Sequence, residues 1–457
     1  RIGFSWDVLG DNSLKLRGGT GLFSGRLPLV FFTNMPTNSG MVQYQAKLNS
    51  DGKSGGVKTD MNEFAGGILK REELLAKLLE LGYPNTISPA DGTVPSEISA
   101  VDPKFKMPQV WKTSLAVDYT FPTSFPFTIS AEGIYNKTVN GVVIRDWSVK
   151  SVDGFARLNG ADNRPLYQDY QKVGLDGKNL PSAYVLENTH KGYGYSGTFT
   201  VNMRPIPELS LMAAYTHTVS KEVTGMPGSN ASSVLNYMGT VYGPNDPGVH
   251  NSQYVTPDRF IASITHNDKS GNHFSFIYET WRGGYNYTYM TANDMNGDGY
   301  NYDLIYIPTD EQVANGDFRF VSEDDATRFM DYVHADKYLS KNQGKYAEAY
   351  SVYSPWVHRL NFRYAHDFKF NIGKSENKLQ LNVDFNNILN VFNPAWGVAK
   401  YMNTAINEGR ILSVDHINNE GAPVFKSNVK AGMPTWTPSS GLGQCWYFQV
   451  GLKYMFN

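Results

Sequence analysis

The stretch Trp446–Asn457, WYFQVGLKYMFN, decides how the rest of the chain reads. Phe448, Val450, Leu452, Tyr454 and Phe456 alternate with Tyr447, Gln449, Gly451, Lys453 and Met455. A period of two over this length is a β-strand with one apolar and one mostly polar face. About ten residues is also what a tilted strand needs to cross a bilayer. If this strand spans a membrane, the same pattern should recur along the chain, with short turns at one end and long loops at the other.

It does recur. Arg1–Leu9 and Ser13–Phe23 make a candidate hairpin across Asp11-Asn12. Val110–Phe121 sets Leu115, Val117 and Tyr119 against Ser114, Ala116, Asp118 and Thr120, and the Pro-rich turn Pro122–Pro126 leads into Phe127–Tyr135. Tyr184–Met203 and Leu209–Val219 flank the turn Arg204–Glu208; Arg259–His266 and His273–Trp281 flank Asn267–Asn272. Val357–Phe370 turns at Asn371–Asn377 into Lys378–Leu389, where Leu379, Leu381, Val383 and Phe385 oppose Gln380, Asn382, Asp384 and Asn386. Longer irregular segments separate these pairs, near Ser24–Pro108, Asp146–Ser182, Lys221–Pro257, Arg282–Pro355 and from Leu389 to the last strand. Two helices are expected inside them. One is Glu63–Leu81, with Leu74, Leu75, Leu78 and Leu81 at helical spacing; the other starts at Ser322, capped with Asp325 and striped by Ala326, Phe329, Met330 and Val333.

The fold class expected is therefore all-β: a transmembrane antiparallel β-barrel with long extracellular loops. About eleven strands are read from the pattern, with the C-terminus on the periplasmic side of a bacterial outer membrane. Leu115, Val117, Tyr119, Leu379, Leu381, Val383, Phe448, Val450 and Leu452 should face lipid; Asp118, Asn382 and Asp384 should face the lumen. An odd count cannot close on itself with antiparallel pairs alone. Either Leu27–Thr33 is a missed strand or the chain is part of a larger barrel, and the second reading is preferred.

Composition agrees. The 457 residues are 41% hydrophobic and 18% charged with a formal net charge of −2, and mean hydropathy is −0.40. No apolar run approaches the roughly 18 residues of a helical span, whereas alternation halves the apparent hydrophobicity of a spanning strand. The 29 Tyr, 25 Phe and 8 Trp suit interface girdles and cross-strand pairs. The near-zero charge carries no signature of nucleic-acid binding, and the single Cys445 excludes an internal disulfide or cysteine metal cluster.

Several phrases resemble the TonB-dependent receptors of Bacteroidota, specifically the Oar-like group. They are LRGGTGLFSGRLPLVFFTN (Leu16–Asn34), NDMNGDGYNYDLIYIP (Asn293–Pro308), YLSKNQGKYAEAYSVYSPWVHRL (Tyr338–Leu360), NVDFNNILNVFNPAWG (Asn382–Gly397) and the terminal strand. The resemblance implies a 22-stranded barrel with a plug inside it, of which residues 1–457 would be the C-terminal half. It also implies uptake powered through the TonB energy-transducing complex, and an upstream carboxypeptidase-regulatory-like β-sandwich. The plug and the β-sandwich are not visible in this chain. The implied partners are outer-membrane lipid, the upstream half of the barrel with its plug, TonB, and an extracellular ligand whose identity the sequence does not give. Tyr350-Ser351 stands where the resemblance leads one to expect an Arg-Asn-rich pattern.

One loop has the residue types of a cation site. Asp294, Asn296 and Asp298 occupy positions 1, 3 and 5 of an EF-hand-type calcium loop with glycine at 6. With the Tyr300 carbonyl and Asp303 they could supply most of the oxygens calcium requires, although Ile305 stands where the loop's bidentate glutamate belongs; the alternative is a metal-free Gly/Asp turn. Gly52-Lys-Ser54-Gly-Gly56 matches G-x-S-x-G but lacks the strand before and helix after that a nucleophile elbow needs. The nine histidines are scattered, and no catalytic constellation emerges. Three functions remain open: active transport of a large nutrient such as a glycan, peptide or chelate; surface binding or adhesion without transport; and a soluble glycan-binding or glycan-cleaving β-protein.

Overall fold

The computed structural model describes residues 1–38, 48–49, 57–58, 71–80, 97–149, 155–167, 182–235 and 237–456. Eleven strands run through one sheet in chain order, each antiparallel to the next. They are β1 (Ile2–Asp7), β2 (Leu14–Ser24), β3 (Gln109–Thr120), β4 (Phe127–Asp146), β5 (Tyr193–Ile206), β6 (Leu209–Glu222), β7 (Asp258–Asn267), β8 (Asn272–Arg282), β9 (Val357–Ile372), β10 (Ser375–Asn386) and β11 (Tyr447–Phe456). Odd-to-even connections are tight turns; even-to-odd connections are the long segments. Turn chemistry explains the tight ones. The Asp7 carboxylate accepts the Gly10 and Asn12 amides, and Asn12 sits at φ +63. Asp268 accepts the Asn272 side-chain amide at 2.8 Å and the Asn272 and Ser270 backbone amides, and the Asn272 side chain above all holds its carboxyl well below the usual carboxylate range.

Register settles the strand faces, because directly opposed residues project to the same side. Phe127, Met203, Leu211, Ile264, Phe276, Phe362, Phe385 and Phe448 form one unbroken apolar row across β4 to β11. Leu16, Val117, Ala131, Phe199, Tyr215 and Phe260 form a second row on that face. Aromatics collect at both ends of it. Tyr119, Phe121, Phe125 and Phe127 pack together at the turn end, and Trp356, His358, Trp446 and Phe385 lie toward the loop end. The opposite face carries ion pairs and hydroxyl pairs: Arg17–Asp118 (2.9 Å), Arg259–Glu279 (2.7 Å), Arg363–Asp384 (3.5 Å) and Thr198–Thr216 (3.0 Å). The expected phase of Leu115, Val117, Tyr119, Leu379, Leu381, Val383, Phe448, Val450 and Leu452 against Asp118, Asn382 and Asp384 is the observed one. Among the described residues the sheet is open: β1 pairs only with β2, and β11 only with β10.

The main buried core lies in the long connections, and a second cluster, with Ile144, Tyr184 and Leu186, sits on the upper part of β4. Tyr289, Ile305, Ile307, Phe318, Phe329, Val333, Leu339 and Phe425 are among the main core's fully or nearly fully buried members. Phe318 stacks on Phe425 at 4.3 Å. A four-stranded sheet contributes Met290–Thr291, Arg410–Ile417, Pro423–Ser427 and Arg319–Phe320. The helix Glu323–Ala335 starts where Ser322 predicts, its hydroxyl accepting the Asp325 amide at 3.1 Å, and buries Phe329, Met330 and Val333. Asp325 does not reach back to the Ser322 amide as a full capping box would. It accepts instead from the Ser322 hydroxyl, Arg328 and the Ser427 amide, tying the helix to the strand Pro423–Ser427.

Three local expectations need correction, and a fourth is met only in part. Leu27–Thr33 is no twelfth strand, since Val30–Asn38 is helical. Tyr184–Met203 is two strands, Ser182–Thr189 and β5, interrupted at Gly192, whose φ of +119 breaks the pleat. The first piece pairs with the upper part of β4, which runs to Asp146 rather than stopping at Tyr135. Within the expected helix Glu63–Leu81, Arg71–Glu80 is helical and none of its residues is buried; the remainder, like the Gly52–Gly56 motif, lies outside the described residues.

Candidate functional site

The long connections of β4–β5, β6–β7, β8–β9 and β10–β11 meet in the cap that holds this core, and the sequence-predicted loop lies within it. Asp294 closes the turn: one carboxylate oxygen accepts the Asn296 and Gly297 amides at 3.2 and 2.8 Å, the other the Gly299 amide at 2.8 Å. Asn296 accepts the Asp298 amide and Asp298 the Tyr300 amide. The short side chains of Asp and Asn favour such closures, which is why this text forms a turn before any ligand is considered. Gly297 and Gly299 take φ values of +79 and +87, which the turn requires. The Tyr300 hydroxyl donates to Asp146 at the end of β4.

Asp303 is drawn to a partner that sequence reading missed. Arg164, fully buried, donates to Asp162 at 2.9 Å and to Asp303 at 3.0 Å, and lies over the Tyr346 ring. The Tyr346 hydroxyl completes the group by donating to Asp162. The other Asp303 oxygen accepts the Met295 amide at 2.9 Å. No periodicity marks Arg164, because it sits in a turn-rich segment and meets Asp303 only through the tertiary fold. Asp162-x-Arg164 is the sole local hint.

The electrostatics divide the loop's acids into two kinds. Burial, and then the negative charges of Asp303 and Asp294, push the Asp298 carboxyl up to about 8. Burial also pushes Asp303 upward, and Arg164 opposes it. Burial works against the Arg164 charge too, yet Asp162 and Asp303 hold its proton more tightly than usual. A guanidinium that stays charged, in direct contact, makes Asp303 the ionised member and leaves Asp298 to carry the proton. Asp298 Oδ2 and Asn296 Nδ2 are buried with no hydrogen-bond partner among the described residues. Thus Asp294, Asn296, Asp298, Tyr300 and Asp303 are all in one place. Their oxygens serve mainly amides and Arg164, and among the described residues no three His, Cys, Asp or Glu side chains converge into a metal cage.

The sequence pattern of the family described as "Outer membrane beta barrel domain" matches residues 1–416. The chain belongs to this family. The apolar face of this outer membrane beta-barrel domain is therefore its lipid side, and the soluble β-protein reading is overturned. No curated protein matches the chain in sequence. Among solved structures it is similar to the outer membrane transporter YddB from Escherichia coli, at 9% identity and a TM-score of 0.41. That similarity covers 100% of this chain and 40% of YddB, so the chain spans less than half the length of that transporter.

Proposed function

We propose that this outer membrane beta-barrel domain forms half the wall and much of the outer cap of a TonB-dependent importer for a large nutrient. The observation that carries this reading is the open sheet of eleven strands, apolar on one face and charged on the other. Bare strand edges in lipid cost several kcal/mol, roughly, per unsatisfied backbone group. β1 and β11 run in the same direction, so joining them would make a parallel pair, which single-chain bacterial barrels avoid. Further strands must complete the wall. Doubling the count gives the 22-stranded circumference at which outer-membrane transporters hold a plugged lumen. The Oar-like phrases in Leu16–Asn34, Asn293–Pro308 and Tyr338–Leu360 point the same way. Short turns then lie in the periplasm with the C-terminus, and the cap faces the medium.

The test uses the full-length protein in detergent and in planar bilayers. An importer binds the periplasmic domain of TonB saturably and conducts no steady current, because its plug closes the lumen. No TonB binding, with a closed barrel, would assign the surface-binding alternative; a steady ohmic conductance would assign an open channel.

A further inference from the structure

A cleft of about 330 Å³ opens between the β6–β7 and β8–β9 connections, and its lining includes Tyr237, Tyr254, Tyr285, Tyr287, Tyr302 and Tyr350. Tyr254 is 61% exposed, Tyr237 46% and Tyr285 40%. These rings are mutually braced. Tyr237 meets Tyr302 edge-to-face at 5.3 Å, Tyr254 meets Tyr285 at 5.8 Å, and Tyr285 meets Tyr287 at 5.0 Å. Braced aromatics present rigid faces with little rotamer entropy left to lose on binding, and each adds a hydroxyl at its rim. Tyr350 fixes the floor. It adopts φ +54, donates its amide to Thr288 at 2.9 Å and its hydroxyl to the Tyr237 carbonyl at 2.8 Å.

Among the described residues the lining holds no Asp, Glu, Lys or Arg, which favours an uncharged ligand. The tyrosine hydroxyls narrow the choice. Each can both donate and accept, and they stand at the rim of rings that are 40–61% exposed at Tyr237, Tyr254 and Tyr285. A hydroxylated rim around flat apolar ring faces favours a ligand that combines hydroxyls with flat apolar patches. Sugar hydroxyls supply donors and their C–H faces supply flat apolar patches. A Pro-rich peptide, the other ligand class that docks on aromatic grooves, brings few N–H groups.

We propose that this tyrosine cleft binds neutral sugar rings of an oligosaccharide. The proposal deepens the importer reading by naming its ligand class, and rests on that reading only for what happens after binding. Calorimetry on the full-length protein in detergent tests it without transport. The probes are maltohexaose, cellohexaose and mannohexaose, with a decaproline peptide alongside. At least one hexasaccharide should bind. Tyr254→Ala and Tyr285→Ala should each weaken it about tenfold, the scale of losing one well-packed aromatic anchor, and Tyr254→Phe should stay within a few-fold. Both tyrosines are substantially exposed, so circular dichroism should show the variants folded. Failure of all three sugars to bind at millimolar concentration, binding indifferent to both alanine variants, or decaproline binding in their place would overturn the proposal. Sugar binding without TonB binding would leave this cleft standing and remove the importer reading instead.

Discussion

At the scale of single residues, the cap depends on charges that the sequence did not place together. Arg164 bridges Asp162 and Asp303 with no solvent access, and removing one member of a buried ion network strands the others. Arg164→Gln should cost about 3–5 kcal/mol, read as a lower denaturant midpoint for the tyrosine fluorescence of the cap; a loss under 1 kcal/mol would mean that the acids find other partners. Asp298 gives a pH signature. Its folded-state pKa of about 8 lies above the ordinary aspartate value of 3.8, so the folded state binds an extra proton between those limits. Stability should therefore fall as pH rises through that window, the penalty being complete above about pH 8. Asp298→Asn removes this term. Its Tm advantage should be absent near pH 4 and greatest near pH 8.5, and an advantage constant with pH would refute the assignment. Calcium should leave both profiles unchanged, because Asp294 serves three amides and Asp303 serves Arg164. A calcium-dependent rise in the wild-type Tm would restore the ligand set read from the sequence.

At the scale of elements, alternation made the sheet legible, and its faces carry the next prediction. Val383→Lys places a charge in the apolar face between Tyr364 and Val450, and near the bilayer midplane that costs about 2–4 kcal/mol. Asp384→Asn, one residue away on the charged face, loses only a partly exposed pair with Arg363 and should change stability by less than about 1 kcal/mol. Equal effects on refolding into lipid vesicles would mean that the strand phase is wrong. The eleven strands were readable because apolar residues recur at every second position on one face and a turn signal stands at one end, even where Met212, Ile261 and Ile277 put apolar residues on the other face. The loop cap was not, beyond the Ser322 helix and the 294–303 turn. Its strands are two to eight residues long, too short to show a period, and its contacts are set by chain reversals far apart in sequence. Gly409 illustrates the point. At φ +107, a Cβ there would lie 2.0 Å from the Thr288 carbonyl oxygen, so only glycine lets Arg410–Ile417 approach the tyrosine cleft. Gly409→Ala should loosen the cap and weaken ligand binding without affecting the sheet. A variant with unchanged protease resistance in the cap would show that the close approach is dispensable.

At the scale of the whole molecule, an unusual division of labour follows from the solvent on each side. Lipid accepts the apolar strand face, so the sheet needs no core of its own, and the main buried apolar cluster collects in the loops where water is the medium. The eleven-strand arc is a wall, and its two free edges are the central feature of the account. Disulfide scanning tests them most directly. With Cys445→Ser as background, cysteines at Ile2, Phe4 or Trp6 of β1 are combined with cysteines at Phe448, Val450, Leu452 or Tyr454 of β11, in full-length protein in outer membranes. A bond requires Cα atoms about 4.4–6.8 Å apart, which only direct neighbours in a sheet satisfy. The account predicts that no β1–β11 pair oxidises within one chain; a quantitative disulfide for any of them would show that these eleven strands close on themselves and would contradict it.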